Sequence, residues 1–209
     1  LDALQYMTMT NEGTMRNIDK PTRTFDDAAF RAYRDGSKTS TDWYKAAISD
    51  ISPSQQHSVR ATGGNDKVDY FMGISYMNLE CFFKSGDLTY EKFTVRSNIS
   101  AEVVKGLRVG MNIWGSIDDK KQPWDNPDWI IRAVWRQRPI DTVYANDNPD
   151  YYSKTSLDGY NPVALSSQDL TGYQQYKNKF IQSSFTADYQ VPFIEGLTAR
   201  LMLSYDYTI

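Results

Sequence analysis

The strongest constraint on this chain is a period of two that holds over long segments between residues 67 and 119. From Val68 the apolar positions are Val68, Tyr70, Met72, Ile74 and Tyr76. From Phe93 they are Phe93, Val95, Ile99, Ala101 and Val103, set against Lys92, Thr94, Arg96, Asn98, Ser100 and Glu102. From Leu107 they are Leu107, Val109, Met111, Ile113 and Ile117, set against Arg108, Asn112, Ser116 and Asp118. A strand sends successive side chains to opposite faces, so these segments predict a sheet with one apolar and one polar face.

Alternation does not say which face is inside. In a sandwich the apolar face packs on a second sheet; in a transmembrane barrel it meets lipid while the polar face lines a watery lumen. Length separates the two. Soluble strands are about 5–6 residues long, and a tilted strand needs roughly 9–11 to cross a bilayer. The segments from Lys67 towards Phe83, from Glu91 to Val104 and from Leu107 to Asp118 are all long enough to cross. Arg96, Asn98, Arg108, Asn112 and Asp118 are then candidate lumen-facing residues, with a generic wet wall as the alternative for any one of them.

The remaining chain divides around these strands. Residues 1–53 read as helix and loop. Thr24, with Asp27 three residues on, predicts a capped helix that carries Phe25, Ala28, Phe30 and Tyr33 and ends at Gly36; Thr41 or Asp42 predicts a second cap. Residues 54–119 supply four strands, the first over Gln55–Thr62. Residues 120–176 form a long connection in which Asn126-Pro127 opens a short helix. Its stripe is Ile130, Ile131, Val134 and Trp135, and Trp135 is expected in the core. Residues 177–209 supply two more strands, about Asn178–Val191 and from Leu197.

The turns at Gly63–Asp66, Lys105–Gly106 and Pro192–Gly196 are short, whereas the alternate connections are longer and 120–176 is very long. That asymmetry is the pattern of outer-membrane barrels, with short periplasmic turns and long extracellular loops. The predicted fold is all-β: about six antiparallel strands of a transmembrane barrel, with short helices in the loops. Six strands do not close such a barrel. The helical pattern at Leu1 and the strand pattern running out to Ile209 give the expectation of an internal piece of a longer polypeptide, since an unpaired strand edge is rarely tolerated.

Composition excludes several classes. The mean hydropathy of −0.60 agrees with the lack of any window near the ~18 apolar residues of a spanning helix. A net charge of −3 argues against nucleic acid as a partner. The single cysteine, Cys81, excludes an internal disulfide framework and a multi-cysteine metal site. His57 is the only histidine and sits in a strand pattern without a nucleophile elbow, so no catalytic residue is assigned and the chain is not read as an enzyme. Asp147, Asn148, Asp150 and Asp158 make an acidic loop, but the Gly and Glu of a calcium-binding loop are not in place, so no metal or cofactor is assigned.

The chemistry-bearing residues are instead the aromatics of the long connection. Trp124, Trp129, Tyr144, Tyr151, Tyr152 and Tyr160 offer flat faces for sugar C–H groups or amphipathic anchors for a protein partner, with internal packing as the plain alternative. Trp124 and Trp129 also suit an interfacial aromatic girdle.

The runs SVRATGGNDKVDYFMGISYMN, YEKFTVRSNISAEVVKGLRVGMNIWGS, NPVAL and VPFIEGLTARLMLSYD, preceded by DALQYM, NEG, FRAYRDG and TDWYKA, resemble the SusC/RagA group of TonB-dependent outer-membrane transporters of Bacteroidetes. The likeness covers nearly the whole chain, and its specificity lies in the order and spacing of the runs. It implies a 22-stranded barrel in the cell outer membrane, with 1–53 and 120–176 on the extracellular side. It implies a SusD-like surface lipoprotein as partner and import of oligosaccharides or peptides. Energy would come from TonB through N-terminal regions that do not occur in these 209 residues. Leu79-Glu80-Cys81 stands where the group usually has Gln-Glu-Gly. Apart from the resemblance, a soluble β-rich carbohydrate-binding module remains the alternative. The apolar face decides between them: covered by a second sheet in the module, open in the wall.

Overall fold

The computed structural model describes residues 1–17, 19–155 and 160–209. Its strands are β1 (Ser54–Gly64), β2 (Val68–Glu80), β3 (Thr89–Val104), β4 (Leu107–Pro123), β5 (Tyr173–Gln190) and β6 (Thr198–Thr208). They form one six-stranded sheet in chain order. Register is set by the alternation. Tyr70 faces Ile99, which faces Met111, and Ile74 faces Val95, so each apolar set lines up across the strands. Across the last hairpin Phe185 faces Leu203 and Ala187 faces Leu201.

The apolar face is open. Met72 is 54% exposed, Ile74 53%, Met111 50% and Leu201 51%. Among the described residues there is no second sheet to cover it, which sets aside the sandwich expectation. Ten residues separate Leu107 from Ile117 on β4. That is ~34 Å along a strand, and ~24 Å of height at the ~45° tilt of a barrel strand, close to the ~25 Å apolar band of outer-membrane barrels.

The short turns are built by few residues. Asn65 Oδ1 accepts from the backbone N–H groups of Lys67 and Val68, both at 2.9 Å. Gly106 turns β3 into β4 at φ +82°, a conformation that costs a side-chain-bearing residue more than glycine. Its N–H donates to Glu102 Oε1 at 3.1 Å.

Contacts divide the chain into two compact units. One is the sheet, residues 52–80, 88–121 and 175–209; the other is helical, residues 1–51, 81–87 and 122–174. The helical unit holds α1 (Ala3–Met15), α2 (Asp27–Arg34), α3 (Trp43–Ala47), α4 (Pro127–Arg136), α5 (Pro162–Leu165) and α6 (Gln168–Thr171). Its core is formed by Ala3, Met7, Trp43, Ala47, Ile48, Phe83, Ile130 and Val134. Buried Asn11 joins two segments: its side chain donates to the Phe25 carbonyl and accepts from the Phe25 N–H, both at 2.8 Å.

Three expectations are corrected here, and one choice between two residues is settled. The cap of α2 is Asp26, not Thr24, and its carboxylate accepts from the Ala29 N–H at 2.8 Å. Of the two candidates for α3, Asp42 is the cap. β2 stops at Glu80 instead of running on to Phe83, because Cys81 and Phe83 belong to the helical core. Trp135 is 73% exposed. The buried stripe of α4 is Ile130, Ala133 and Val134, and Trp135 lies about 140° round the helix from Ile130. Strands β4 and β5 also extend further than the alternation predicts, to Pro123 and back to Tyr173. Asp26→Ala should destabilise α2 by about 1 kcal/mol, whereas Thr24→Ala should have little effect. Amide exchange of residues 27–34 in the full-length protein measures the difference.

Candidate functional site

The polar face of the sheet carries all five predicted lumen candidates, each placed by the strand period. Arg96, Asn98, Arg108, Asn112 and Asp118 stand on β3 and β4, where Asn98 pairs with Asn112 and Arg96 with Trp114. Arg108 reaches across β3 to pair with Asp69 on β2, and its Nε donates to Ser100 at 3.3 Å. Asn112 donates to Ser184 Oγ at 3.2 Å, and Asp118 accepts from Asn178 at 2.9 Å. Arg96 lies over the Phe71 ring at 5.7 Å. Arg200 and Asp188 form a further ion pair between β6 and β5. A hollow of about 580 Å³ opens in the middle of this face, lined by Arg96, Asn98, Asn112, Trp114, Gln182 and Asp206 among others.

The sequence reading missed the aromatic residues here. Phe71 and Trp114 sit among polar side chains, and Trp114 meets Phe180 edge-on at 4.9 Å. The signal was present, because Phe71 lies between Tyr70 and Met72 and must point the other way. The face therefore presents amide, guanidinium and carboxylate groups beside flat rings. Such groups can hydrogen-bond to and stack with a polar solute. His57 is exposed on β1, 3.4 Å from Gln55. Cys81 is buried, with Sγ accepting from the Phe83 N–H at 2.8 Å.

The six aromatic candidates lie in the helical unit, where Trp124, Trp129, Tyr151 and Tyr160 are exposed and Tyr144 and Tyr152 are half-buried. Trp129 meets Tyr160 edge-on at 6.1 Å, and Tyr144 packs on Tyr152 at 5.3 Å across an isolated bridge. Burial first, then the neighbouring Tyr144, raises the pKa of the Tyr152 hydroxyl above its ordinary value. Buried Asn161 clamps this loop by donating to the carbonyls of Val143 at 2.8 Å and Ser153 at 3.1 Å. Tyr151 and Trp124 are exposed, at 65% and 59%. Trp135 joins them beside an apolar hollow of about 300 Å³ lined by Tyr44, Ile48, Phe82, Ile131 and Val134. In the acidic loop Asn148 Oδ1 accepts from the Asp150 N–H at 3.0 Å. No group of three or more metal-ligating side chains occurs among the described residues, and Asp158 lies outside them.

A single long-stranded sheet with an open apolar face and a hydrogen-bonded polar face narrows the comparison to membrane barrels. Two solved states of the RagAB peptide importer match the whole chain. The closed-closed state matches at TM-score 0.64 and 16% identity, and the open-open state at 0.65 and 15%. The chain is SusC/RagA-like in fold.

The SusC/RagA-like sheet is an antiparallel segment of an outer-membrane barrel, and the outer membrane is its location. In sequence, the chain is 24% identical over 143 residues to TonB-dependent receptor P3 of Formosa agariphila. That match takes in 65% of this chain and 14% of the relative. The chain spans about a quarter of the RagAB chains it matches, 25% in each state. No protein-family model matches it.

Proposed function

We propose that this chain forms part of the wall of a TonB-dependent outer-membrane importer, working with a SusD-like surface lipoprotein. The observation that carries the reading is the sheet itself. Its apolar face is open over a membrane-high band, while its polar face is tied together by side-chain hydrogen bonds. On this reading the apolar side meets outer-membrane lipid and the polar side wets the transport path. Residues 1–53 and 120–176 then belong to the extracellular side. Trp124, Trp129, Tyr144, Tyr151, Tyr152 and Tyr160 serve solute stacking or lipoprotein docking, with the exposed Trp124 and Tyr151 foremost. The wall carries out no covalent chemistry.

The transported solute is an oligosaccharide or a peptide. The polar face, with its amides and rings, suits both, and the likeness to a peptide importer favours the peptide. The test is uptake of labelled oligopeptides and oligosaccharides by cells expressing the full-length protein with its neighbouring lipoprotein. Uptake of one class should vanish when TonB is deleted. Recovery of the full-length protein as a soluble monomer without detergent would overturn the reading.

A further inference from the structure

The hollow on the polar face carries opposite charges at its two ends and uncharged groups between them. Arg96 on β3 stands opposite Trp114 on β4, and Gln182 on β5 stands opposite Asp206 on β6. The bonds from Asn112 to Ser184 and from Asn178 to Asp118 keep one register across β4 and β5, which brings Gln182 beside Trp114. One row across four strands therefore reads Arg96, Trp114, Gln182, Asp206, and all four line the same hollow of about 580 Å³. Two ion pairs on this face are closed, Arg108 with Asp69 and Arg200 with Asp188. The charges of the hollow are not. Arg96 lies over the Phe71 ring at 5.7 Å and has no carboxylate partner among the described residues. Asp206 accepts from the neutral Gln182 amide at 3.3 Å and has no cationic partner among them. Three strand spacings, ~14 Å, keep the two from neutralising each other.

We propose that this hollow binds a short peptide by both of its free termini, the carboxylate on Arg96 and the ammonium on Asp206. The inference rests on the wall reading, in which the polar face wets the transport path. Length fits: ~14 Å is the span of about four extended residues. The middle of the row fits as well. Trp114 offers a flat ring to a side chain, while Gln182 and, one row along, Asn98, Asn112 and Ser184 offer amides and a hydroxyl to the peptide backbone. A guanidinium held against a ring keeps its donors for a carboxylate, which it takes as a two-toothed fork. Charge selects the ligand class. A neutral oligosaccharide leaves both ends of the hollow unanswered. An acidic one answers Arg96 and is repelled by Asp206. A peptide with free ends answers both.

The experiment is isothermal titration calorimetry of the full-length protein in detergent. The probes are tetra-alanine with free termini, its N-acetylated form, its C-terminal amide and tetragalacturonate. Free tetra-alanine should bind, and blocking either end should weaken binding about tenfold. Arg96→Gln should weaken free tetra-alanine by the same factor and leave the affinity of the amide where it was. Asp206→Asn should do the same for the acetylated peptide. Such matched losses tie each side chain to one terminus. If a variant fails to fold, judged by heat-dependent migration, the blocked peptides on the unaltered protein still decide. Equal affinity for all three peptides overturns the inference. So does an Arg96→Gln or Asp206→Asn protein that binds free tetra-alanine undiminished, the result expected if another segment of the full-length chain occupies the hollow. Tighter binding of tetragalacturonate than of free tetra-alanine overturns it too. A protein that binds peptides without regard to their termini fails this inference alone; one that is soluble without detergent fails the wall reading beneath it.

Discussion

Met111→Arg should destabilise the full-length protein in a lipid bilayer by about 2–4 kcal/mol, the cost of a guanidinium on the lipid face near the midplane of a barrel. Met111 is chosen for its height. It stands on β4 between Leu107 and Ile117 at the two ends of the apolar band, flanked by Ile99 on β3, and half its surface is open. An arginine there can neither reach the interface nor find a partner. Leu107→Arg, at the border of the band, should cost at most about 1 kcal/mol. Asn112→Arg, one residue along but on the polar face, should cost little. Denaturant unfolding from bilayers, followed by tryptophan fluorescence, gives all three values. Equal costs for Met111 and Asn112 would mean that the apolar face does not meet hydrocarbon.

The same contrast shows how much of the fold the residues announce. A period of two is a direct imprint of the strand, so β3 and the start of β4 were legible almost to the residue; Gly106 marked the turn between them, and Asn65 the turn between β1 and β2. The pattern records only the amphipathic part of a strand. Beyond Asp119 on β4 and before Asn178 on β5 both faces turn polar, and the strands continue as ladders held by Gln122 with Gln174 and by Asp119 with Gln175 and Lys177. Periodicity carries no signal there. The opposite failure occurs at Cys81-Phe82-Phe83, where an apolar run continues the strand pattern while the backbone leaves the sheet. For the polar face, the identity of the lining residues was legible from parity, but their pairing was not. Arg108 meets Asp69 two strands away only because β3 lies between them in register. The exposed Trp135 was misread because four apolar residues in six fix a stripe only once the helix phase is known.

Phe83→Ala should cost about 3–5 kcal/mol, the combined loss of buried apolar surface and the cavity left behind. Phe83 is 1% exposed and is the largest of the fully buried side chains. Its surroundings leave no easy route to collapse. Phe82 packs against it at 4.6 Å, Ile48 pairs with it across an isolated bridge, and its carbonyl accepts from the Gly86 N–H at 3.0 Å. Adjacent backbone bonds hold the segment further, from Ser49 to Phe82 at 2.7 Å and from Lys84 to Ala47 at 2.9 Å. Hydrogen exchange of the full-length protein locates the effect. Amides of residues 43–48, 81–87 and 127–136 should exchange faster, while those of β2 and β3 keep their protection. Were Phe83 the end of a lipid-facing strand, the same substitution would remove apolar surface from hydrocarbon, and the β2 amides would loosen instead. The pattern of exchange, more than the size of the loss, decides whether these three residues belong to the helical core.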